Sequence, residues 1–392
     1  MNNLPPQEWL NALLLVAQSG QWALLRLWHA LGLSGDSHGQ MAWPWAHRIA
    51  GETLLIDIGL ARQLLWSVAA LAVTVVALIL AILWRRRRFV LLPFALLVLL
   101  CTPWPSANLV FSPAVPTSFH TSSMQFSVNS IARGARSYAL HCAGCHGVDG
   151  RGEGPLAANL TRWPPTFVSP ILARRADGEM FWHIQYGMRD EDGRSTMPDF
   201  SKQLDDDETW AVLDYIKALA AGTGASANGN WPLPVRLPEV EVRCGRNAPI
   251  PLTQWRSGQR VRIVALDGNA ASIPIDDGRL MTLVVTRDGK VPEQVPRFRS
   301  DCTAASTQAW SVFAQIAGVP ESALRGTQLL ADRAGWLRAR GNDRQAWSDA
   351  DLLCKAGQPV AASGGTAVDG LTAVLNRMDA EPVRFIKGGF VH

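Results

Sequence analysis

Two long stretches without charged side chains, separated by a cluster of arginines, place the strongest constraint on how this chain folds. The first covers residues 64–84. At about 1.5 Å per residue, an α-helix of this length spans about 31 Å, the thickness of a bilayer core. The second covers residues 89–111 and contains prolines near both ends. We therefore expect two membrane-spanning helices within residues 61–111.

The short connection between these stretches, residues 85–88, consists of four consecutive arginines. Loops rich in Lys and Arg stay on the cytoplasmic side of a membrane. We therefore expect a multi-pass protein of the bacterial inner (cell) membrane, with a cytoplasmic loop between the spans. Everything after the second span is then expected in the periplasm.

Residues 1–60 form a separate N-terminal region, in which polar side chains interrupt the apolar segment 10–33. This pattern predicts either an amphipathic helix in the membrane interface or a third span. The basic start and the small-residue cleavage site of a signal peptide are missing. This region also contains four side chains of the types that bind copper, namely His29, His38, Met41 and His47. Their irregular spacing favours a role in interfacial packing.

A Cys-x-x-Cys-His motif at residues 142–146 indicates covalent cofactor chemistry. Cysteines three positions apart lie on the same side of a helical turn, and the adjacent histidine faces the same group. This spacing is the attachment site of a c-type haem, so Cys142 and Cys145 are predicted to bind one haem c covalently and His146 to ligate its iron. Two alternative interpretations of the motif fit less well. A zinc site needs a second ligand pair at a suitable spacing, and none follows. A thioredoxin-type dithiol comes after a strand, whereas residues 130–141, which precede the motif, are typical of a helix.

The second axial iron ligand is predicted to be Met197, in a loop rich in Gly and Asp that precedes a helix. A loop can bring a thioether to the opposite face of the haem, and His/Met ligation raises the reduction potential. The alternative is that Met197 fills a gap in the core. Met180 and Met188 lie in or beside the helical stretch 178–186, which favours packing roles for both.

Residues 128–221 resemble a class I (monohaem) cytochrome c domain, which is an all-α fold. Gly134 and Tyr215 match the glycine and the aromatic residue at which the two terminal helices of that family cross. Residues 152–155 resemble the family loop whose proline carbonyl accepts the ring N–H of the haem histidine. The resemblance therefore implies that Pro155 contacts His146, while an ordinary turn proline is the alternative.

The remainder of the chain reads as a flexible linker over residues 222–236 and an α/β domain over residues 237–392. Residues 326–338 resemble a strand-turn-strand of the thioredoxin-like superfamily, particularly its Sco-like and peroxiredoxin-like members. Those proteins carry a cysteine pair directly after the first core strand, whereas residues 267–272, which follow the corresponding strand at residues 262–266, contain no cysteine. We therefore expect a thioredoxin-like domain without dithiol chemistry, which binds a partner or shields the haem.

Three cysteines of this last region remain for disulfide formation in an oxidising compartment. Cys244, Cys302 and Cys354 allow three pairings. We favour Cys244 with Cys302, because Cys354 lies in a segment that reads as an exposed tail.

Together these observations predict a multi-domain fold, with N-terminal transmembrane helices, an all-α cytochrome c domain and an α/β thioredoxin-like domain. The expected function is single-electron transfer in a periplasmic or inner-membrane redox chain, as a carrier rather than an enzyme. Membership of a larger oxidoreductase complex stays open. Its partner would be an oxidase, a dehydrogenase or a soluble carrier, and the net charge of +4 without a basic stripe argues against nucleic acid. The alternative is a haem-dependent redox or copper-homeostasis accessory protein.

Overall fold

The chain divides into two units, the first over Met1–Phe119 and the second from His120 to Phe385. The computed structural model describes residues 7–50, 58–104, 106, 111–169, 175–267, 277–290, 302–342, 346–353 and 370–383.

The first unit contains three helices among its described residues: α1 (Gln7–Ala30), α2 (Ile58–Leu83) and α3 (Arg88–Cys101). Short strands accompany them and form two antiparallel pairs: β1 (Asp36–Ser37) with β2 (Gln40–Met41), and β3 (His47–Ile49) with β4 (Phe111–Pro113). The helix expected near residues 10–33 is therefore present as α1. Its relation to a membrane stays a prediction.

Within the described residues, one helical segment is long and apolar enough to cross a membrane, Arg62–Leu83 in α2. The second span expected over residues 89–111 is not formed as one helix, because α3 ends at Cys101 after 14 residues. The physical reason lies in the next two positions. Pro103 disfavours the helical conformation in the residue before it, and Thr102 is extended, with φ −75° and ψ 127°.

The second unit begins with helices, α4 (Val128–His141) and the single turn α5 (Ala143–His146). After them come α6 (Asp177–Tyr186), the antiparallel strands β5 (Met188–Arg189) and β6 (Ser195–Met197), and α7 (Asp206–Asn228). A capping box between Asp205 and Glu208 satisfies free amides at the start of α7. A Cβ at Gly134 would overlap the Ala211 carbonyl oxygen, so this glycine allows α4 and α7 to cross closely.

The rest of the second unit is an eight-stranded sheet in the order β7-β14-β13-β10-β11-β12-β8-β9. Strands β10, β11 and β12 are parallel, and the other pairs are antiparallel. The strands are β7 (Val235–Arg236), β8 (Glu241–Cys244), β9 (Ile250–Pro251), β10 (Val261–Ala265), β11 (Met281–Val285), β12 (Cys302–Ala304), β13 (Thr327–Ala331) and β14 (Trp336–Asn342), and the helices are α8 (Leu252–Arg256), α9 (Ala309–Ala317) and α10 (Gly370–Ala380). Strand β10 therefore forms at the expected first core strand, residues 262–266, and β13 and β14 form the expected strand-turn-strand over residues 326–338.

The predicted flexible linker over residues 222–236 is wrong in its first half, because α7 continues through this segment to Asn228. Ala221 and Ala225 are buried there, in the same hydrophobic cluster as the core of the sheet. A Cβ at Gly222 would overlap the Gln315 carbonyl oxygen of α9. The small side chains that suggest flexibility therefore serve close helix packing, and α7 passes without interruption from the helical domain into the core of the sheet domain.

A disulfide bond joins Cys244 of β8 to Cys302 of β12, which lie opposite each other in antiparallel strands. Their Cα atoms are 3.9 Å apart. This is the favoured pairing of the three, and Cys354 lies outside the described residues.

Candidate cytochrome c site

The Cys-x-x-Cys-His motif forms a single helical turn at the end of α4. Cys142 ends that helix, and its carbonyl oxygen accepts hydrogen bonds from the amides of Cys145 and His146 at 3.1 and 2.9 Å. Cys142 and Cys145 are free thiols. Burial raises the pKa of the Cys142 thiol to about 12, and the nearby Cys145 contributes a smaller part of this rise. The turn therefore presents two unpaired thiols and an imidazole within five consecutive residues.

A glycine-rich loop is hydrogen-bonded along this turn. The amides of Gly152, Gly154 and Leu156 donate to the carbonyl oxygens of His146, Cys145 and Gly144, at 2.8, 3.1 and 2.8 Å. The approach requires glycine, because a Cβ at position 154 would overlap the carbonyl oxygen of residue 144. The loop thereby fixes the backbone of the motif from one side.

Tyr138 fixes the same turn from the helical side. Its hydroxyl is buried and donates a 2.7 Å hydrogen bond to the Gly147 carbonyl oxygen. Burial raises the pKa of Tyr138, so the phenol stays protonated and able to donate. Its ring also packs against Tyr215 of α7, with centroids 5.1 Å apart. Tyr215 therefore packs at the helix crossing, as the resemblance implies.

The imidazole of His146 is held in an apolar environment. Burial lowers the pKa of His146 to about 4, which keeps the ring neutral near pH 7, the form that binds a metal. Its ring stacks on Phe167, with centroids 4.7 Å apart and planes 18° apart. The Nδ1 atom is buried and has no hydrogen-bond partner among the described residues. The bond from His146 to the Pro155 carbonyl, implied by the resemblance, is therefore not formed.

Met197 lies at the end of β6, directly opposite Met188 of β5. Its side chain is partly buried and packs on the hydrophobic cluster that also contains Cys142. Met180 packs on the same cluster, whereas Met188 is exposed. The structure therefore brings the predicted sixth ligand and the predicted haem anchor to one cluster, while its role as a ligand stays a prediction.

Sequence reasoning missed several contacts that support this region. Phe181 stacks on Trp210 at 4.8 Å, and both are buried. The Ser130 hydroxyl of α4 donates a 2.7 Å hydrogen bond to the Asp214 carboxylate of α7, which also lies 3.6 Å from the Lys217 ammonium. Phe181 and Trp210, like Ser130 and Asp214, are far apart in sequence, and no spacing rule connects the members of either pair.

The copper-type side chains of the N-terminal region are not assembled into a metal site in the part of the chain that the structure describes. His29 Nε2 lies 3.0 Å from an Asp36 carboxylate oxygen. Across the described residues, no group of three or more His, Cys, Asp or Glu side chains is arranged to hold a metal ion.

A haem attached at this turn fits the free thiols, the glycine loop and the crossing helices. It also fits the neutral imidazole, whose buried Nδ1 has no hydrogen-bond partner among the described residues. These features define a cytochrome c-type domain, which implies a haem with its iron and a role in electron transfer. Residues 129–216 match the family model described as cytochrome c oxidase, cbb3-type, subunit III. A cytochrome c domain therefore occupies this part of the chain.

The other comparisons add little to this assignment. No curated protein matches the chain. Among solved structures, a chain of the reducing HAO-like protein complex of Kuenenia stuttgartiensis is 25% identical, over 32% of this chain and 59% of that chain, with a TM-score of 0.22. The present chain thus spans less than two thirds of that protein, and a similarity at this TM-score supports no structural argument.

Proposed function

We propose that this protein is a membrane-anchored c-type cytochrome that transfers single electrons between a membrane donor and a redox partner. The observation that carries the proposal is the motif turn, with its two free thiols beside a half-buried, neutral His146 whose buried Nδ1 has no partner among the described residues. A histidine that served only the packing of a core would be expected to have its buried nitrogens satisfied.

In this proposal, Cys142 and Cys145 would hold one haem through thioether bonds, and His146 and Met197 would supply the two protein ligands to its iron. The bound haem supplies a one-electron couple at its iron. The chain holds the ligands: the glycine loop and the Tyr138 hydroxyl fix the backbone of the turn, and burial keeps the imidazole deprotonated. Two protein ligands leave no open position on the iron, which favours electron transfer over oxygen or peroxide chemistry.

The partner is proposed to be a protein in or at the membrane. The family that matches residues 129–216 is named for a subunit of a cbb3-type oxidase, which favours a terminal oxidase among the possible partners. Under this proposal the protein is a carrier, or the electron-entry subunit of a complex, and not itself the catalyst.

Membrane anchoring and a periplasmic cytochrome domain also belong to the proposal. They are supported by the apolar segment Arg62–Leu83 and by the four arginines at residues 85–88 that follow it. Covalent haem attachment in the periplasm requires the same orientation. Two different properties of the sequence thus favour one topology.

We further propose that the sheet domain is thioredoxin-like and non-catalytic. In support, β11 and β10 are parallel, β13 and β14 continue the sheet antiparallel beside β10, and helix α10 follows them. Residues 266–301, which directly follow β10, contain no cysteine. A role in binding the partner or shielding the haem therefore suits this domain better than dithiol exchange.

The proposed ligand set is tested on the purified full-length protein by reduced-minus-oxidised spectra and by redox titration. We expect Met197→Ala to lower the reduction potential and to let carbon monoxide bind the reduced iron. Met188→Ala is the matched control, because Met188 lies opposite Met197 in the same strand pair but is exposed. Equal potentials for Met197→Ala and the wild type, or ready binding of carbon monoxide by the wild type, would refute Met197 as the ligand.

The same preparation separates electron transfer from copper homeostasis. The proposal expects no stoichiometric copper in the purified protein. Copper bound at one atom per chain, and lost on substitution of His29 or His47, would instead support the copper-homeostasis alternative.

A further inference from the structure

We propose that Phe167 is a positioning residue, whose ring orients the axial imidazole of His146 where the resemblance implied a proline carbonyl. The inference rests on the proposed function, because it assigns a role toward the iron ligand. It concerns a residue far from the motif in sequence, which no spacing rule singles out.

The first observation is the contact itself. The Phe167 and His146 rings are stacked at a centroid distance of 4.7 Å, with an angle of 18° between their planes. Phe167 is only 8% exposed, so the ring is confined by its surroundings. A nearly parallel neighbour at this distance restricts rotation of the imidazole about its bond to Cβ.

The second observation is that, among the described residues, no hydrogen bond holds the Nδ1 atom of the same imidazole. Ligating histidines commonly donate their second ring N–H to an acceptor, which fixes the ring. Here Nδ1 of His146 is buried and has no hydrogen-bond partner among the described residues. In our inference, the stacked face of Phe167 takes the place of that acceptor in holding the plane of the ring.

The third observation is that Phe167 is itself held in place. Its amide donates a 2.8 Å hydrogen bond to the Gly150 carbonyl oxygen. A Cβ at Gly150 would lie 2.8 Å from Phe167 Cδ2, and the φ of +71° at this position also favours glycine. The Tyr138 ring meets Phe167 edge-on, with centroids 6.2 Å apart. The position is therefore built by the glycine loop and by the helix that precedes the motif.

The test compares four variants of the full-length protein at matched haem content. Phe167→Leu removes the flat ring, and Phe167→Met removes it while filling more of the volume. Phe167→Tyr keeps the ring. Phe181→Leu is the matched control, because Phe181 is a buried aromatic of the same cluster that stacks on Trp210 instead of His146.

The readouts are the g-values of the oxidised haem by electron paramagnetic resonance and the reduction potential, both of which respond to the orientation of the axial imidazole. We expect shifted g-values in Phe167→Leu and Phe167→Met, and wild-type g-values in Phe167→Tyr and Phe181→Leu. Wild-type g-values in Phe167→Leu or in Phe167→Met would overturn the inference. An equal shift of the g-values in Phe181→Leu would also overturn it. A wild-type protein without covalent haem would instead refute the proposed function, so the two failures are distinguishable.

Discussion

The close crossing of α4 and α7 gives a sharp prediction for Gly134→Ala. An added Cβ would overlap the Ala211 carbonyl oxygen and lie 2.9 Å from the Val212 nitrogen. Both atoms belong to the backbone of α7, so no side-chain rotation can relieve the clash. The two helices must therefore move apart.

The magnitude follows from two opposing effects. Alanine is the better helix former, and it favours the variant by about 1 kcal/mol. Overpacking destabilises the folded state by about 1–3 kcal/mol. We take about 3 kcal/mol for Gly134→Ala, because the added Cβ meets backbone atoms, which cannot rotate away. We therefore expect a net loss of about 2 kcal/mol in the free energy of unfolding. For a unit of this size, that loss lowers the melting temperature by about 4–8 °C.

The assay is thermal unfolding, monitored by circular dichroism and by the haem absorbance. Gly20→Ala in α1 is the control, because no atom lies within 4 Å of its added Cβ. It should leave the melting temperature unchanged or slightly raised. A Gly134→Ala protein as stable as the wild type would refute the close crossing on which the domain assignment depends.

Three further predictions concern the loop, the disulfide and a buried carboxyl. Gly154→Ala should lower the free energy of unfolding by about 2 kcal/mol and reduce the amount of haem per chain, because its Cβ would overlap the carbonyl oxygen of Gly144. A haem stain at wild-type intensity would contradict this prediction. Removing the disulfide by Cys244→Ser together with Cys302→Ser should lower the free energy of unfolding by about 4 kcal/mol, because the unfolded chain is no longer restricted by a loop with a sequence separation of 58. An unchanged midpoint of urea unfolding would contradict this prediction. Burial raises the pKa of Asp214 above its ordinary 3.8, so its contribution to stability is present below pH 3.8 and is lost as the pH rises through the raised value. Asp214→Asn should therefore flatten this part of the stability–pH profile, and a profile parallel to the wild type would show the reasoning to be wrong.

The sequence was most informative where chemistry requires fixed spacing. The spacing of the motif predicted that Cys142, Cys145 and His146 lie together on a helical turn, and the structure forms that turn over Ala143–His146. Gly134 was assigned to the helix crossing through the resemblance to class I cytochromes c, and the structure places it there, where a Cβ would overlap the Ala211 carbonyl oxygen. Both inferences rest on constraints that few other residues satisfy.

The errors arose where one composition serves two structures. The run of Ala, Gly and Ser after Leu219 is typical of a flexible linker, yet the same small side chains allow α7 to pack against α9. Tertiary packing decided between the two, and a local pattern does not contain it. The Phe167 contact was missed for a related reason, because a stacking partner is fixed by the fold and not by sequence separation.

The central claim is that Cys142 and Cys145 hold a haem covalently. The most direct measurement is the mass of the purified, denatured protein, combined with its pyridine haemochrome spectrum. The account predicts one haem per chain that survives denaturation, located on a peptide containing both cysteines, and lost when both are changed to alanine. A chain mass without haem, or haem that dissociates on denaturation, would contradict it.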